Sequence, residues 1–283
     1  MTLRRPFRFS QVDVFSAHGL LGNPLAVVHD AEGLDEETLA RFARWTNLSE
    51  TTFLLPPTDP AADYRVRIFT TGGELPFAGH PTLGSAHAWL EAGGVPRRAD
   101  RVVQECGVGL VPVARRERLA FAAPQLLRSG GVEPGRAGEV LAALGLSPSQ
   151  VVGMAWVDNG PGWVGVELGS AEQVLAVEPV LALSSQLKVG IIGRWPDPAA
   201  GGKDVEVRAF YGDGTDFAED PVTGSLNAGL AQWLIGAGRL PARYVAGQGA
   251  RRRRDGRVHV EQREGQIWIG GDTVTTVSGT VSL

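Results

Sequence analysis

The chain has 283 residues, 43% of them hydrophobic, and 27 Lys and Arg against 31 Asp and Glu give a formal charge of −4. That is enough for one or two packed domains, and the acidic balance offers no field to recruit nucleic acid. One cysteine excludes an internal disulfide framework; no run nears the roughly 20 apolar residues of a membrane span, and no signal peptide follows Arg4 and Arg5, so a cytoplasmic protein is expected.

Phe7 to Phe15 alternates apolar and polar residues, the pattern of a half-buried strand. A turn at Gly22-Asn23-Pro24 precedes a second strand over Leu25 to Val28, and acidic Asp35-Glu36-Glu37 opens a helix that ends near Asn47. Glu50 follows in a connector before an apolar strand at Phe53 to Leu55, a position that carries function more often than a helix face does. Val102 to Val113 reads as a hairpin turning near Gly107, with the lone Cys106 inside the strand pattern as a small hydrophobe. Leu119 to Ala122 adds a strand, and Pro124 to Pro134 is a loose crossover.

The second half opens with a helix from Ala137 to Leu144, stopped by Gly145. Strands at Val151 to Trp156 and Trp163 to Leu168 flank the turn Asp158-Asn159-Gly160-Pro161-Gly162. Helices are expected around Ala171 to Val177 and Val180 to Ser185, a strand at Val189 to Gly193, and a surface loop from Pro196 to Gly202. Val258 to Glu261 and Gln266 to Ile269 form a last hairpin, and Thr273 to Val281 a strand returning to the first half. The run Arg251 to Arg254 lies between Gly249 and Gly256 and reads as a solvated face.

One stretch occurs twice. Phe77-Ala78-Gly79-His80-Pro81 matches Phe217-Ala218-Glu219-Asp220-Pro221 at an offset of 220 − 80 = 140, and Trp89-Leu90 matches Trp233-Leu234 at an offset of 144. A repeat of half the chain length means two similar halves. Pro81 and Pro221 are expected at the first positions of two helices, each followed by small residues such as Gly84, Ser85, Thr223, Gly224 and Ser225. Helix N-termini with accessible N–H groups attract carboxylates. The polar residue differs between copies, His80 against Asp220, which points to chemistry shared by two unequal halves.

The chain has one Cys and no third ligand near His80 and His87, so zinc spacing is lacking. It also lacks a dinucleotide fingerprint, a P-loop and a nucleophile elbow. What remains is cofactor-free acid–base chemistry or plain binding, with no metal. Gly22-Asn23-Pro24, Asn47-Leu48-Ser49-Glu50-Thr51, the Phe77 to Gly84 segment, Glu219 to Ser225 and Gln248-Gly249 together resemble the phenazine biosynthesis-like (PhzF) family over nearly the whole chain. The resemblance implies an α+β, diaminopimelate-epimerase-like fold: two pseudo-symmetric halves, each a curved, mostly antiparallel sheet around a central helix. The halves are expected at residues 1–122 plus 272–283 and at 123–271, with the active site in the cleft between them.

By position in the motifs, Glu50 matches the family's proton-shuttling carboxylate, and His80, Asp220 and Ser225 match residues that hold the substrate and assist. Gly79, Pro81, Thr223 and Gly224 are expected to line the substrate. Related racemases place a Cys where each echo stretch begins its helix; His80 and Asp220 stand near those points here, which disfavours a two-thiol racemase. The loop after Gln248-Gly249 departs from the family's Gly-Arg-Pro and carries Arg253-Arg254-Asp255. The preferred reading is a homodimeric isomerase of a small carboxylate-bearing metabolite, similar to trans-2,3-dihydro-3-hydroxyanthranilate isomerase. Alternatives are an epimerase with opposed Glu50 and Asp220 bases, or a non-catalytic binding protein on the same fold.

Overall fold

The computed structural model describes residues 5–180, 187–197, 201–212 and 217–283. The helix expected near Val180 to Ser185 falls, beyond Val180, outside the described residues, as do 198–200 of the expected loop and Gly214 to Asp216 of the second echo stretch. Two compact units are present, Met1–Ala122 with Gly270–Leu283, and Ala123–Ile269.

In the first unit, β1 (Pro6–Val14) lies antiparallel to both β18 (Thr273–Ser282) and β2 (Asn23–Val28). β2 runs parallel to β3 (Glu50–Leu55), which is antiparallel to β4 (Tyr64–Thr70). The same edge of the sheet is then shared: Tyr64 and Arg65 pair with β6 (Arg101–Cys106) in parallel, and Ile68 to Thr70 pair with the short β5 (Gly73–Leu75). β7 (Gly109–Arg115) and β8 (Leu119–Ala122) continue antiparallel from β6.

The sheet surrounds α2 (Gly79–Glu91), which packs against β1, β2, β3, β6, β7, β8 and β18 and is buried along most of its length. A helix enclosed this way must be small and apolar on every face, which explains its run of Gly, Ser and Ala. Outside the sheet, α1 (Glu36–Thr46) is amphipathic. The Asp35 side chain accepts from the Thr38 N–H at its start, and Asn47 ends it in the left-handed region at φ 54°. Leu39 and Phe42 bury against Phe53 and Phe69.

The second unit repeats the plan. β9 (Arg128–Gly130), β10 (Val151–Asp158) and β11 (Val164–Leu168) are successively antiparallel, and β11 is parallel to β12 (Lys188–Arg194). β12 is antiparallel to β13 (Val205–Gly212), whose edge is again shared between parallel β15 (Arg243–Gln248) and antiparallel β14 (Phe217–Asp220). β16 (Gly256–Arg263) follows β15 antiparallel, and β17 (Gln266–Gly271) closes the run. The inner helix is α5 (Gly224–Gly236), packed on β10, β11 and β16, while α3 (Pro134–Leu144) and α4 (Ala171–Ala176) help enclose a core that includes Trp156, Leu187 and Phe210.

Several expectations need correction. The crossover Pro124 to Pro134 contains strand β9, and its Pro134 is the first residue of α3, with Gly145 closing that helix at φ 65°. Glu50 opens strand β3 instead of ending a loop. Neither echo proline starts a helix: Pro81 is the third residue of α2, and Pro221 precedes Thr223, the N-cap of α5. Pro81 is tolerated there because the first N–H groups of a helix have no carbonyl partner. In the second copy the Thr223 N–H is taken by the Gln248 side chain, which keeps the backbone extended for two more residues before Gly224.

Candidate functional site

The candidate residues fall into one set in each unit. In the first, α2 begins at Gly79 and presents His80 from its first turn, while β3 begins with Glu50. His80 Nε2 lies 3.4 Å from Glu50 Oε2, with the two side chains 5% and 15% exposed. On the other side of the ring, Asn23 Nδ2 sits 3.5 Å from His80 Nδ1. Burial lowers the His80 imidazole to about 3, which keeps it neutral at physiological pH.

Asn23 is held in turn. The buried Asp13 on β1 accepts the N–H groups of Leu21 and Gly22 at 2.8 and 2.9 Å. Gly22 is obligatory there, because a Cβ would lie 2.1 Å from the Val14 carbonyl oxygen. The turn read from Gly22-Asn23-Pro24 is thereby pinned to β1, and it delivers Asn23 to His80. Pro81 and Gly79 are buried around the same helix start, and no side chain caps that start.

In the second unit, Asp220 ends β14 and Thr223 caps α5, with Gly224 and Ser225 in the first turn. Thr223 Oγ1 donates to Asp220 Oδ2 at 2.5 Å. The Ser225 hydroxyl accepts from the Trp163 indole at 3.0 Å, and its carbonyl from the Asn159 amide at 2.8 Å. Arg208 on β13 grips Glu219, the neighbour of Asp220, through two bonds of 2.9 and 3.0 Å, and its third nitrogen reaches the carbonyls of Val174 and Val177.

Asp13, Arg208 and the supporting amides of Asn227 and Gln248 were not expected as site residues. A signal for the last was present: Gln104 and Gln248 are 248 − 104 = 144 apart, the same offset as the echo tryptophans.

His87 turns away from this set, with Nε2 3.1 Å from the Thr275 hydroxyl on β18. Cys106 ends β6, half-buried, its thiol 3.7 Å from the Gly109 carbonyl and pushed up by burial, so it is not an activated thiolate. Among the described residues, no three His, Cys, Asp or Glu side chains are grouped as metal ligands, and no helix is long and apolar enough to cross a membrane. Arg251 to Arg253 are exposed around a short 3-10 turn at Ala250–Arg252, and Arg251 pairs with Glu178.

Residues 12–279 match the model of the phenazine biosynthesis-like protein family, PhzC-PhzF. The chain belongs to this family. A protein of Schizosaccharomyces pombe called antisense-enhancing sequence 1 is 33% identical over 96% of this chain and 97% of its own length. The trans-2,3-dihydro-3-hydroxyanthranilate isomerase of Pseudomonas fluorescens is 34% identical over 81% of this chain and 80% of its own. Among solved structures, a PhzF-family protein of Enterococcus faecalis superposes with a TM-score of 0.79 at 24% identity, covering 99% of this chain and 100% of that one. The fold is accordingly the epimerase-like α+β fold expected from the motifs, and relatives across the family are named isomerases.

Proposed function

We propose that this PhzF-family protein is an isomerase that moves a proton between carbons of a small carboxylate-bearing metabolite, with Glu50 as the proton carrier. The observation that carries the reading is the buried Glu50–His80 pair, 3.4 Å apart, whose histidine is neutral. A group that accepts and then returns a proton works best when neither of its states is locked. Burial disfavours the charged carboxylate, and a neutral imidazole adds no fixed cation to hold that carboxylate ionised. His80, held by Asn23, is assigned to orient the Glu50 carboxyl. The step balances without an oxidant: one C–H bond breaks to Glu50, the double bond shifts, and a new C–H bond forms from the same carboxyl.

The start of α2 offers N–H groups that no side chain caps, a suitable seat for a substrate carboxylate. Asp220 and Ser225 are assigned to substrate polar groups, with Gly79, Pro81, Thr223 and Gly224 as backbone and wall. No metal or organic cofactor is invoked. Trans-2,3-dihydro-3-hydroxyanthranilate is the first substrate to test, since relatives carry its isomerase name.

Turnover of that compound in heavy water is expected to place deuterium at the new C–H position, to an extent set by exchange of the Glu50 proton with solvent. Glu50→Gln keeps the shape but cannot accept a proton, and should lose roughly 10²–10⁴ in rate with little change in affinity. Turnover by Glu50→Gln at the wild-type rate would remove Glu50 from the role.

A further inference from the structure

We propose that Gln248 and Thr223 form a one-way hydrogen-bond relay that positions Asp220 and holds it as an ionised acceptor, not as a proton donor. The inference rests on the reading of Asp220 as a substrate-facing carboxylate, and it adds the residues that set its state. Gln248 is 1% exposed, and its amide oxygen accepts from the Thr223 backbone N–H at 3.0 Å and from Asn227 Nδ2 at 2.9 Å. A backbone N–H can only donate, so that side of the amide must be oxygen. Asn227 is fixed by the same logic, because its Nδ2 also donates to the Thr223 carbonyl at 2.9 Å.

The Gln248 nitrogen then points the other way, donating to Thr223 Oγ1 at 3.0 Å and reaching the Asp220 carbonyl at 3.4 Å. With that N–H arriving, the hydroxyl must send its single proton elsewhere, and Asp220 Oδ2 is 2.5 Å away. A donor forced onto a carboxylate favours the charged form, and such charge-assisted bonds are short and strong.

The first unit supplies an internal comparison. Gln104, fully buried, stands 144 residues before Gln248, and Thr82 stands 223 − 82 = 141 before Thr223. The Gln104 oxygen accepts from the Tyr64 hydroxyl at 2.9 Å, its nitrogen donates to Thr82 Oγ1 at 3.0 Å, and Thr82 donates to the Ala78 carbonyl at 2.9 Å. The Gln-to-Thr relay is thus common to both halves. In one it ends on a backbone carbonyl at a helix start, and in the other on a carboxylate. Charged groups on the elements next to Asp220 include Glu219, gripped by Arg208 of β13, Glu206 on the same strand, Arg243 on β15, and Arg251 to Arg254 after β15; all stay in place in the variants below.

The test is ¹³C NMR of the full-length protein labelled at aspartate Cγ, with the Asp220 signal identified by its loss in Asp220→Asn. In Thr223→Val the Asp220 titration midpoint should rise by about one pH unit or more. Thr223→Ser, which keeps the hydroxyl, should titrate like wild type. Gln248→Met should also raise the midpoint, and should add nothing in the Thr223→Val background. An unchanged midpoint in Thr223→Val overturns the relay, as does a full extra rise from Gln248→Met in that background. If Gln248→Met does not fold, the Thr223 pair decides alone. Wild-type turnover by Asp220→Asn would refute the substrate role of Asp220 separately, without altering these midpoints.

Discussion

Replacing Gly229 by alanine should destabilise the protein even though alanine is the better helix former. A Cβ at Gly229 would lie 2.3 Å from the Val157 carbonyl oxygen and 3.1 Å from the Val157 Cβ. Val157 is fully buried in β10, which is paired on both sides by β9 and β11, so the carbonyl cannot retreat without carrying a strand with it. Overpacking of this kind costs about 1–3 kcal/mol, at the upper end where backbone must move, while the gain in helix propensity returns about 1 kcal/mol. The clash wins, and a net loss of about 1–2 kcal/mol is expected. Gly236, in the same helix, has nothing within 4 Å of its virtual Cβ, so Gly236→Ala should gain up to about 1 kcal/mol by propensity alone. Urea denaturation followed by tryptophan fluorescence measures both. Equal stability of the two variants would refute the argument that α5 is held at backbone contact with β10.

Three further outcomes follow from buried polar groups. Burial lowers His29 to about 4 and His80 to about 3, so both states of the protein are neutral at these residues above the ordinary value of 6.5. Below it only the unfolded state takes up the protons, and stability should fall between pH 6.5 and 5 by about 1.4 kcal/mol per pH unit for each histidine. His87 is lowered by burial as well and adds to the same slope, so urea midpoints across that window should show His29→Gln reducing the slope without abolishing it, and an unchanged slope would contradict the assignment. Arg208→Met strands the Glu219 carboxylate, 12% exposed, and should cost about 3–5 kcal/mol; the double variant Arg208→Met with Glu219→Leu should recover part of it in the same denaturation assay. Cys106→Ala should keep turnover within a few-fold, and the native thiol should react with iodoacetamide more slowly than glutathione at pH 7.5, because burial raises it.

Much of the frame was legible because it rests on local chemistry. The first helix was marked by Asp35 and ended by Asn47, and the Asp158 turn by its side chain, which accepts the N–H groups of Gly160 and Gly162. The strands β5, β14 and β15 were not foreseen, nor was β9 in the crossover. The first two have three and four residues, too few for a period to emerge, and they exist because an edge of β4 or β13 is left open beside them. The helix starts were misplaced by three residues at most because a proline after an aromatic-small pair reads as a first helical position. What decides is where the neighbouring N–H goes, and in the second copy it goes to Gln248, 25 residues later. The pairing of Glu50 with His80 likewise needs β3 beside the start of α2, a contact between residues 30 apart that no spacing rule supplies.

The duplication also explains why two halves with one plan carry different polar residues. Each inner helix is enclosed by its sheet, and each start is braced by a glutamine from the parallel strand beside it. The brace fixes the backbone and leaves the chemistry at that turn open. In the first unit the position is taken by a neutral histidine beside a carboxylate, an arrangement in which a proton is cheap to move. In the second a carboxylate stands ahead of the helix instead, at the end of β14, and accepts the Thr223 hydroxyl. Under the proposed proton transfer, Glu50 beside His80 is the carrier whose charge changes during the cycle, and Asp220 the holder whose charge does not. Swapping the two polar residues, Asp220→His with His80→Asp, should therefore abolish turnover without unfolding either helix start, since both glutamine braces survive the exchange. Retained turnover in the swapped protein would mean that the two helix starts are chemically equivalent, and the division into carrier and holder would fall.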